Sequence, residues 1–231
     1  MDLASLITPP RKETLAANIA AQLKSLILKK KLNVGDRLPS ERKLAELFKV
    51  SRVVIKQALL ALEHSGFVEI SLGSKGGAIV IFDFAKPLTI FMEDLHQKDG
   101  LNIAHFDELR KALENTAIRS AVENADERDI ARLVEINEAF SNPENYERHG
   151  ELNTAFHVAI ADIAGNPLIR NLLKAVMELV FLYPQLPISN QFIKQAYGDH
   201  QNIIEAIRRR DVKNAEKFVF QNAQRVVSNG L

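Results

Sequence analysis

Cysteine and tryptophan are both missing from this chain, and aromatic residues make up only 6% of it. Without a thiol there can be no disulfide, no thiolate metal site and no cysteine nucleophile. Long apolar runs are missing as well. No stretch approaches the roughly 20 residues that a helix needs to cross a bilayer, and no basic-then-apolar leader opens the chain, so the expectation is a cytoplasmic protein without membrane contact. Internal repeats and low-complexity segments are also lacking. Net charge is close to nil, but the formal balance of +1 hides an asymmetry. Residues 1–80 hold 13 Lys and Arg against 7 Asp and Glu, whereas residues 81–231 hold 17 against 22. A basic first part beside an acidic second part suits a module laid on a phosphate backbone, although a swing of this size is also ordinary surface variation.

What is present is a 46% hydrophobic content over 231 residues, enough for two domains. Residues 1–12 contain Pro9-Pro10 and no periodicity, which predicts a mobile arm. A helix is expected from Thr14 to about Lys31, with Leu15, Ile19, Leu23 and Leu26 on one face. The stretch LPSERKLAELFKVSRVVIKQALLALEHSG, Leu38 to Gly66, reads as a helix-turn-helix. Ser40 and Ser51 are natural N-caps, Leu44, Ala45 and Phe48 make one apolar face, and Ile55, Ala58, Leu59 and Leu62 make the other. Arg52, Val53, Lys56 and Gln57 are left free near the start of the second helix, where a recognition helix meets base edges and phosphates. A plain helical hairpin with solvated charges would show the same pattern. Behind it, FVEISLGSKGGAIVIF places two β-rich runs around a glycine turn, completing a winged helix-turn-helix over residues 13–82. In that turn Lys75 and closely approaching backbone N–H groups suit phosphate contact, while Gly76 and Gly77 can also be read as turn geometry alone.

GDRLPSERKLAELFKVSR, then QALLALEHSGFV, then the glycine wing resemble the DNA-binding domain of the GntR family of bacterial transcription regulators. The resemblance implies operator contacts at Arg42, Ser51, Arg52, Lys56 and the wing Gly73. Lys56 stands where many members carry Arg, and Lys cannot make the same bidentate pair to guanine. Lys49 occupies a turn position that is often Gly, which predicts a somewhat different turn backbone.

After a linker expected at 83–87, residues 88–231 read as an all-α antiparallel bundle for effector binding and dimerisation. Seven helices are predicted, at about 87–97, 103–124, 126–140, 143–164, 166–183, 188–209 and 211–228, separated by Gly and Pro breaks. Three of their apolar stripes carry a polar intruder. Arg110 breaks Ile103, Phe106, Leu113 and Ala117; His200 breaks Ile193, Ala196, Ile203 and Ile207; Asn222 breaks Ala215, Val219 and Val226. Asn153 and His157 lie four apart on one helical face, with His149 a further turn back. Because an unpartnered buried polar group costs about 1 to 3 kcal/mol, such intruders imply a shared polar pocket or mutual pairing, including the plainer pairing of Arg110 with Glu114 at i+4.

FDELRKALENTAIRSA, AFHVAIADIAGNPLIRNLL and DHQNIIEAIRRRDVKNAEKFV resemble the FCD effector domain of the FadR branch of this family. In that family an Asp and three His commonly hold a divalent metal beside a small organic acid. Carried over, the four positions are Asn153, His157, His200 and Asn222, so only the two histidines match, and the amides would be weak metal ligands. The expected site is therefore Arg110, Asn153, His157, His200 and Asn222, taking a small carboxylate, with no acidic residue among the five and each histidine and amide able to donate a hydrogen bond. The function this predicts is a homodimeric, ligand-responsive regulator that binds operator DNA. Two alternatives stay open: an enzyme using the His157 and His200 pocket, or a DNA-binding dimer without an effector.

Overall fold

The computed structural model of the chain describes residues 14–71, 77–182 and 189–228. The arm at residues 1–12, the wing residues Gly73 and Lys75, and the break at 184–187 lie outside the described residues. The chain divides into two compact units, Met1–Pro87 and Leu88–Leu231.

The first unit is built from α1 (Leu15–Leu28), α2 (Glu41–Phe48), α3 (Arg52–His64) and the antiparallel strands β1 (Val68–Ser71) and β2 (Gly77–Val80). Each helix begins at a hydroxyl cap: the Oγ atoms of Thr14, Ser40 and Ser51 accept from the backbone N–H groups of Ala17, Lys43 and Val54. The buried face of α1 is Ala16, Ile19, Leu23 and Ile27. Leu15 and Leu26, expected on that face, are 61% and 41% exposed. The stripe is rotated by one position, because Ile27 rather than Leu26 lies four residues beyond Leu23. These residues pack on Leu44, Ala45, Ile55, Ala58, Leu59 and Leu62.

Lys49 closes α2 in the left-handed region, at φ 54° and ψ 46°. The turn thus takes a backbone that glycine adopts freely, with a lysine carrying it. Gly66, at φ +75°, has no such latitude, since a Cβ there would lie 2.1 Å from the Asp83 carbonyl oxygen. In the hairpin, Val68 pairs with Val80 and Ile70 with Ala78. The other edge of β2 is covered by the Gly35–Leu38 segment, through Leu38 N–H to the Ala78 carbonyl and Val80 N–H to the Asp36 carbonyl. That pairing fixes the entry to α2.

The helix α4 (Ala85–Asp99) begins inside the stretch read as a linker, and Pro87 sits in its first turn, where a missing N–H costs nothing. Beyond it lie α5 (Ile103–Asn124), α6 (Glu127–Ser141), α7 (His149–Ile163), α8 (Pro167–Leu182), α9 (Asn190–Arg208) and α10 (Val212–Ser228). The helix predicted over 143–164 is two pieces: a 3-10 segment, Pro143–Arg148, precedes α7. Asn142 and Asn145 cause the interruption, the first accepting from the Glu144 N–H and the second donating to the Ala139 carbonyl. In the bundle α5 packs on α7, α8, α9 and α10, while α6 packs on α7 and α9. The apolar core runs through Ile118, Leu133, Phe156, Leu173, Met177 and Ile203.

Candidate nucleic-acid interface and buried polar cluster

In the first unit the free side of α3 presents Ser51, Arg52, Lys56 and Gln57, all exposed, beside Arg42 on α2. Arg52 lies 3.5 Å from Glu41, and Arg42 lies 4.0 Å from Glu46. Both pairs are in solvent, where such contacts contribute little, so either guanidinium is available to phosphate or base. Ser51 has its Oγ committed to the α3 N-cap, which sets where the helix begins. All four described DNA candidates, Arg42, Ser51, Arg52 and Lys56, are exposed.

In the second unit the structure brings Arg110, His157, His200 and Asn222 together, each at most 1% exposed, with Asn153 at 1% one turn before His157. Arg110 Nε donates to Glu114 Oε1 at 2.9 Å, and its Nη2 lies 3.3 Å from Asn222 Oδ1 and 3.4 Å from His157 Nε2. His157 Nδ1 is 2.8 Å from the same Glu114 oxygen. The expectation that no acidic residue would stand among these groups is corrected: Glu114, 3% exposed, is at the centre. Burial pushes its carboxyl up, but Arg110 and His157 beside it reverse the shift and bring it down to about 2.

The partners also fix the imidazole tautomers. Asn137 on α6 donates its amide to the Tyr197 carbonyl, which turns its Oδ1 toward His200 Nδ1 at 2.9 Å. His200 Nδ1 therefore carries the proton, and Nε2 keeps a lone pair. Likewise His157 Nδ1 donates to Glu114, leaving Nε2 to accept from Arg110. The histidines thus present acceptors to the cluster, not the donors expected of them. Burial, with the Arg110 guanidinium nearby, holds the His200 imidazole well below its usual value. Phe156 stacks on its ring at 3.9 Å between centroids.

Several buried polar atoms lack a partner: Arg110 Nη1, Glu114 Oε2, Asn153 Oδ1 and Nδ2, and His200 Nε2. The void beside Glu114 and His157 is too narrow to admit a water molecule. A larger groove of about 630 Å³ lies elsewhere, along α6, α7 and α8. Its cations already have partners: Arg132 and Arg170 both meet Asp162, and Lys174 meets Glu178. Five of the buried polar atoms without partners gather instead in the smaller cluster, on Arg110, Glu114, Asn153 and His200.

Sequence reasoning missed two residues that organise the cluster. Glu114 was legible only as a neighbour of Arg110. Asn137 had the same signature as His200, a polar residue in the buried stripe of Ile130, Leu133 and Phe140.

Among the described residues no three of His, Asp and Glu are grouped so as to hold a metal ion, and no helix is long and apolar enough to cross a membrane.

Comparison with known proteins agrees with both halves. Residues 15–77 match the bacterial regulatory proteins of the gntR family, and residues 107–222 match the FCD domain. The HTH-type transcriptional repressor NanR of Citrobacter rodentium is 30% identical over 220 residues, covering 90% of this chain and 82% of that protein. NanR of Cronobacter sakazakii is 29% identical over 221 residues, with the same coverage. Among solved structures, a GntR protein of Streptococcus agalactiae superposes with a TM-score of 0.66 at 22% identity, over 90% of this chain and 97% of that one, and so shares its fold. With a winged helix-turn-helix ahead of an FCD bundle, this chain belongs to the gntR family of bacterial regulatory proteins, a DNA-binding transcription regulator and not an enzyme.

Proposed function

We propose that this regulator binds a small carboxylate bearing a hydroxyl or amine group in the cluster on α5, α7, α9 and α10, and that the ligand changes its hold on operator DNA. One observation carries the reading: the unpartnered buried atoms are of both kinds. Arg110 Nη1 and Asn153 Nδ2 are donors without an acceptor, while His200 Nε2 and Asn153 Oδ1 are acceptors without a donor. A carboxylate satisfies the first pair and an adjacent O–H or N–H group the second. Each atom so satisfied recovers about 1 to 3 kcal/mol, which offsets the work of parting side chains around a void too small for water. A ligand that needs the cluster opened binds one arrangement of the bundle better than another, which is the requirement for a signal.

On the DNA side we assign Arg42, Arg52 and Lys56 to direct contact, Ser51 to placing the recognition helix, and Gly73 and Lys75 to the wing. The protein works in the cytoplasm as a homodimer on an inverted repeat, since one winged helix covers too little DNA to be selective and two-fold closure is the commonest assembly.

The test is a thermal-shift screen of small carboxylic and hydroxycarboxylic acids followed by calorimetry. The best acid is expected to bind Asn153→Leu at least about tenfold more weakly than wild type, with an equal loss for the acid lacking its hydroxyl. Affinity undiminished by Asn153→Leu and by Arg110→Ala/Glu114→Ala contradicts the pocket. No shift with any acid favours a bundle that only dimerises.

A further inference from the structure

The resemblance to FCD domains implies a divalent metal at Asn153, His157, His200 and Asn222, and these residues do not fit one. They offer two imidazole nitrogens and two amide oxygens, a set without charge. The carboxylate of the cluster, Glu114, already balances Arg110 Nε and His157 Nδ1 through Oε1, and its Oε2 alone is unpartnered. Two of the four positions already have a cation against them. Arg110 Nη2 lies 3.4 Å from His157 Nε2 and 3.3 Å from Asn222 Oδ1, inside a cluster that solvent does not reach. A divalent ion bound to those same two atoms would sit within a few ångströms of a buried guanidinium, where low polarisability leaves the repulsion unscreened.

We infer that the Arg110 guanidinium is the resident cation of this site, holding the place between His157 and Asn222 that a divalent ion would take, so that the site works without metal. Three features are consistent with a cation in that place. Glu114 supplies the balancing charge and orients His157, as a carboxylate behind a metal-bound histidine does. The Nε2 lone pair of His157 is turned to the guanidinium, and the Asn222 oxygen accepts from the same Nη2. An aspartate at 153 or a histidine at 222 is not needed to hold a guanidinium, because hydrogen bonds to neutral oxygen and nitrogen suffice where the charge is already paired with Glu114. Nη1 is then left as the unused donor of that guanidinium, buried and without a partner.

The inference concerns metal alone and stands or falls apart from the identity of the effector. Its test uses full-length protein, zinc(II) and manganese(II), with elemental analysis and thermal melting as readouts and circular dichroism as the check on folding. Wild type is expected to carry substoichiometric metal and to melt at the same temperature with either ion or with chelator. The Asn153→Asp/Asn222→His variant, which restores a charged ligand set around the same cation, is expected to gain a metal-dependent rise in melting temperature. Adding Arg110→Met is expected to tighten that metal binding by at least about tenfold, since the guanidinium no longer competes for the position. Stoichiometric metal in wild type overturns the inference. It is equally overturned if the restored variant folds and binds metal no better than wild type, or if Arg110→Met leaves its metal affinity unchanged. Should the triple variant fail to fold, the first two arms still decide. Carboxylate binding is read separately, in chelator: its absence removes the effector proposal and leaves the metal result standing.

Discussion

Glu114 is the residue on which the polar cluster balances, because its carboxylate is the one negative charge shared by a buried guanidinium and a buried imidazole. Removing that charge leaves Arg110 uncompensated at 0% exposure, a loss of about 3 to 5 kcal/mol. Glu114→Gln is therefore expected to lower the urea midpoint by a corresponding amount without altering the slope, and a change below about 1 kcal/mol would show that Arg110 finds another partner. The same carboxyl gives the acid response a direction. Its folded value, about 2, lies below the 4.5 of the unfolded chain, so the unfolded state binds the proton first as pH falls. Its stabilisation is complete above about 4.5 and is lost progressively toward 2. Wild type should lose stability through that window more steeply than Glu114→Gln, as read by denaturation at a series of pH values. On the DNA side, Arg52→Ala is expected to cost about 1 to 3 kcal/mol of operator affinity and to blur sequence preference, whereas Lys75→Ala should weaken all sequences alike; binding curves on matched and mismatched duplexes separate the two.

Among the elements, the turn between α2 and α3 carries a lysine in a backbone region that costs a side chain about 1 to 2 kcal/mol. Lys49→Gly is expected to raise stability by about 0.5 to 1 kcal/mol, the relief of strain being partly offset by the greater freedom of glycine in the unfolded chain. Gly66→Ala has the opposite sign, because the added methyl meets the Asp83 carbonyl oxygen at 2.1 Å and the turn into β1 must deform. Paired thermal melts of the two variants check both signs. These elements also mark how far the sequence could be read. Caps, apolar stripes and breaks are local, so α2, α3, the wing strands and five of the bundle helices were legible from residue spacing. What depended on neighbours was not. Leu26 and Ile27 are both apolar and adjacent, and only packing against α3 decides which one is buried. Asn142 and Asn145 divert the chain before α7 through side-chain hydrogen bonds that a helical pattern does not register. In the cluster, spacing identified Arg110, His200 and Asn222 as inward-facing and the family resemblance added His157, but the roles of Glu114 and Asn137 follow from contacts across helices, and with them the tautomers that make the histidines acceptors.

For the molecule as a whole, the chain forms two compact units, a basic winged helix-turn-helix and an acidic helical bundle. Reading an inverted repeat requires two copies, so sedimentation should give a dimer both free and on DNA; a monomer in both states contradicts the assembly proposed. Whether the bundle reports to the DNA-binding unit is read by fluorescence anisotropy on a labelled duplex selected by the protein itself, titrated with and without the best acid from the screen. A saturating acid is expected to change operator affinity by about 5- to 150-fold, the usual range for coupling between two sites, and Asn153→Leu should need more acid for the same change. Operator affinity that stays constant while calorimetry shows the acid bound would contradict coupling between the bundle and the DNA-binding unit.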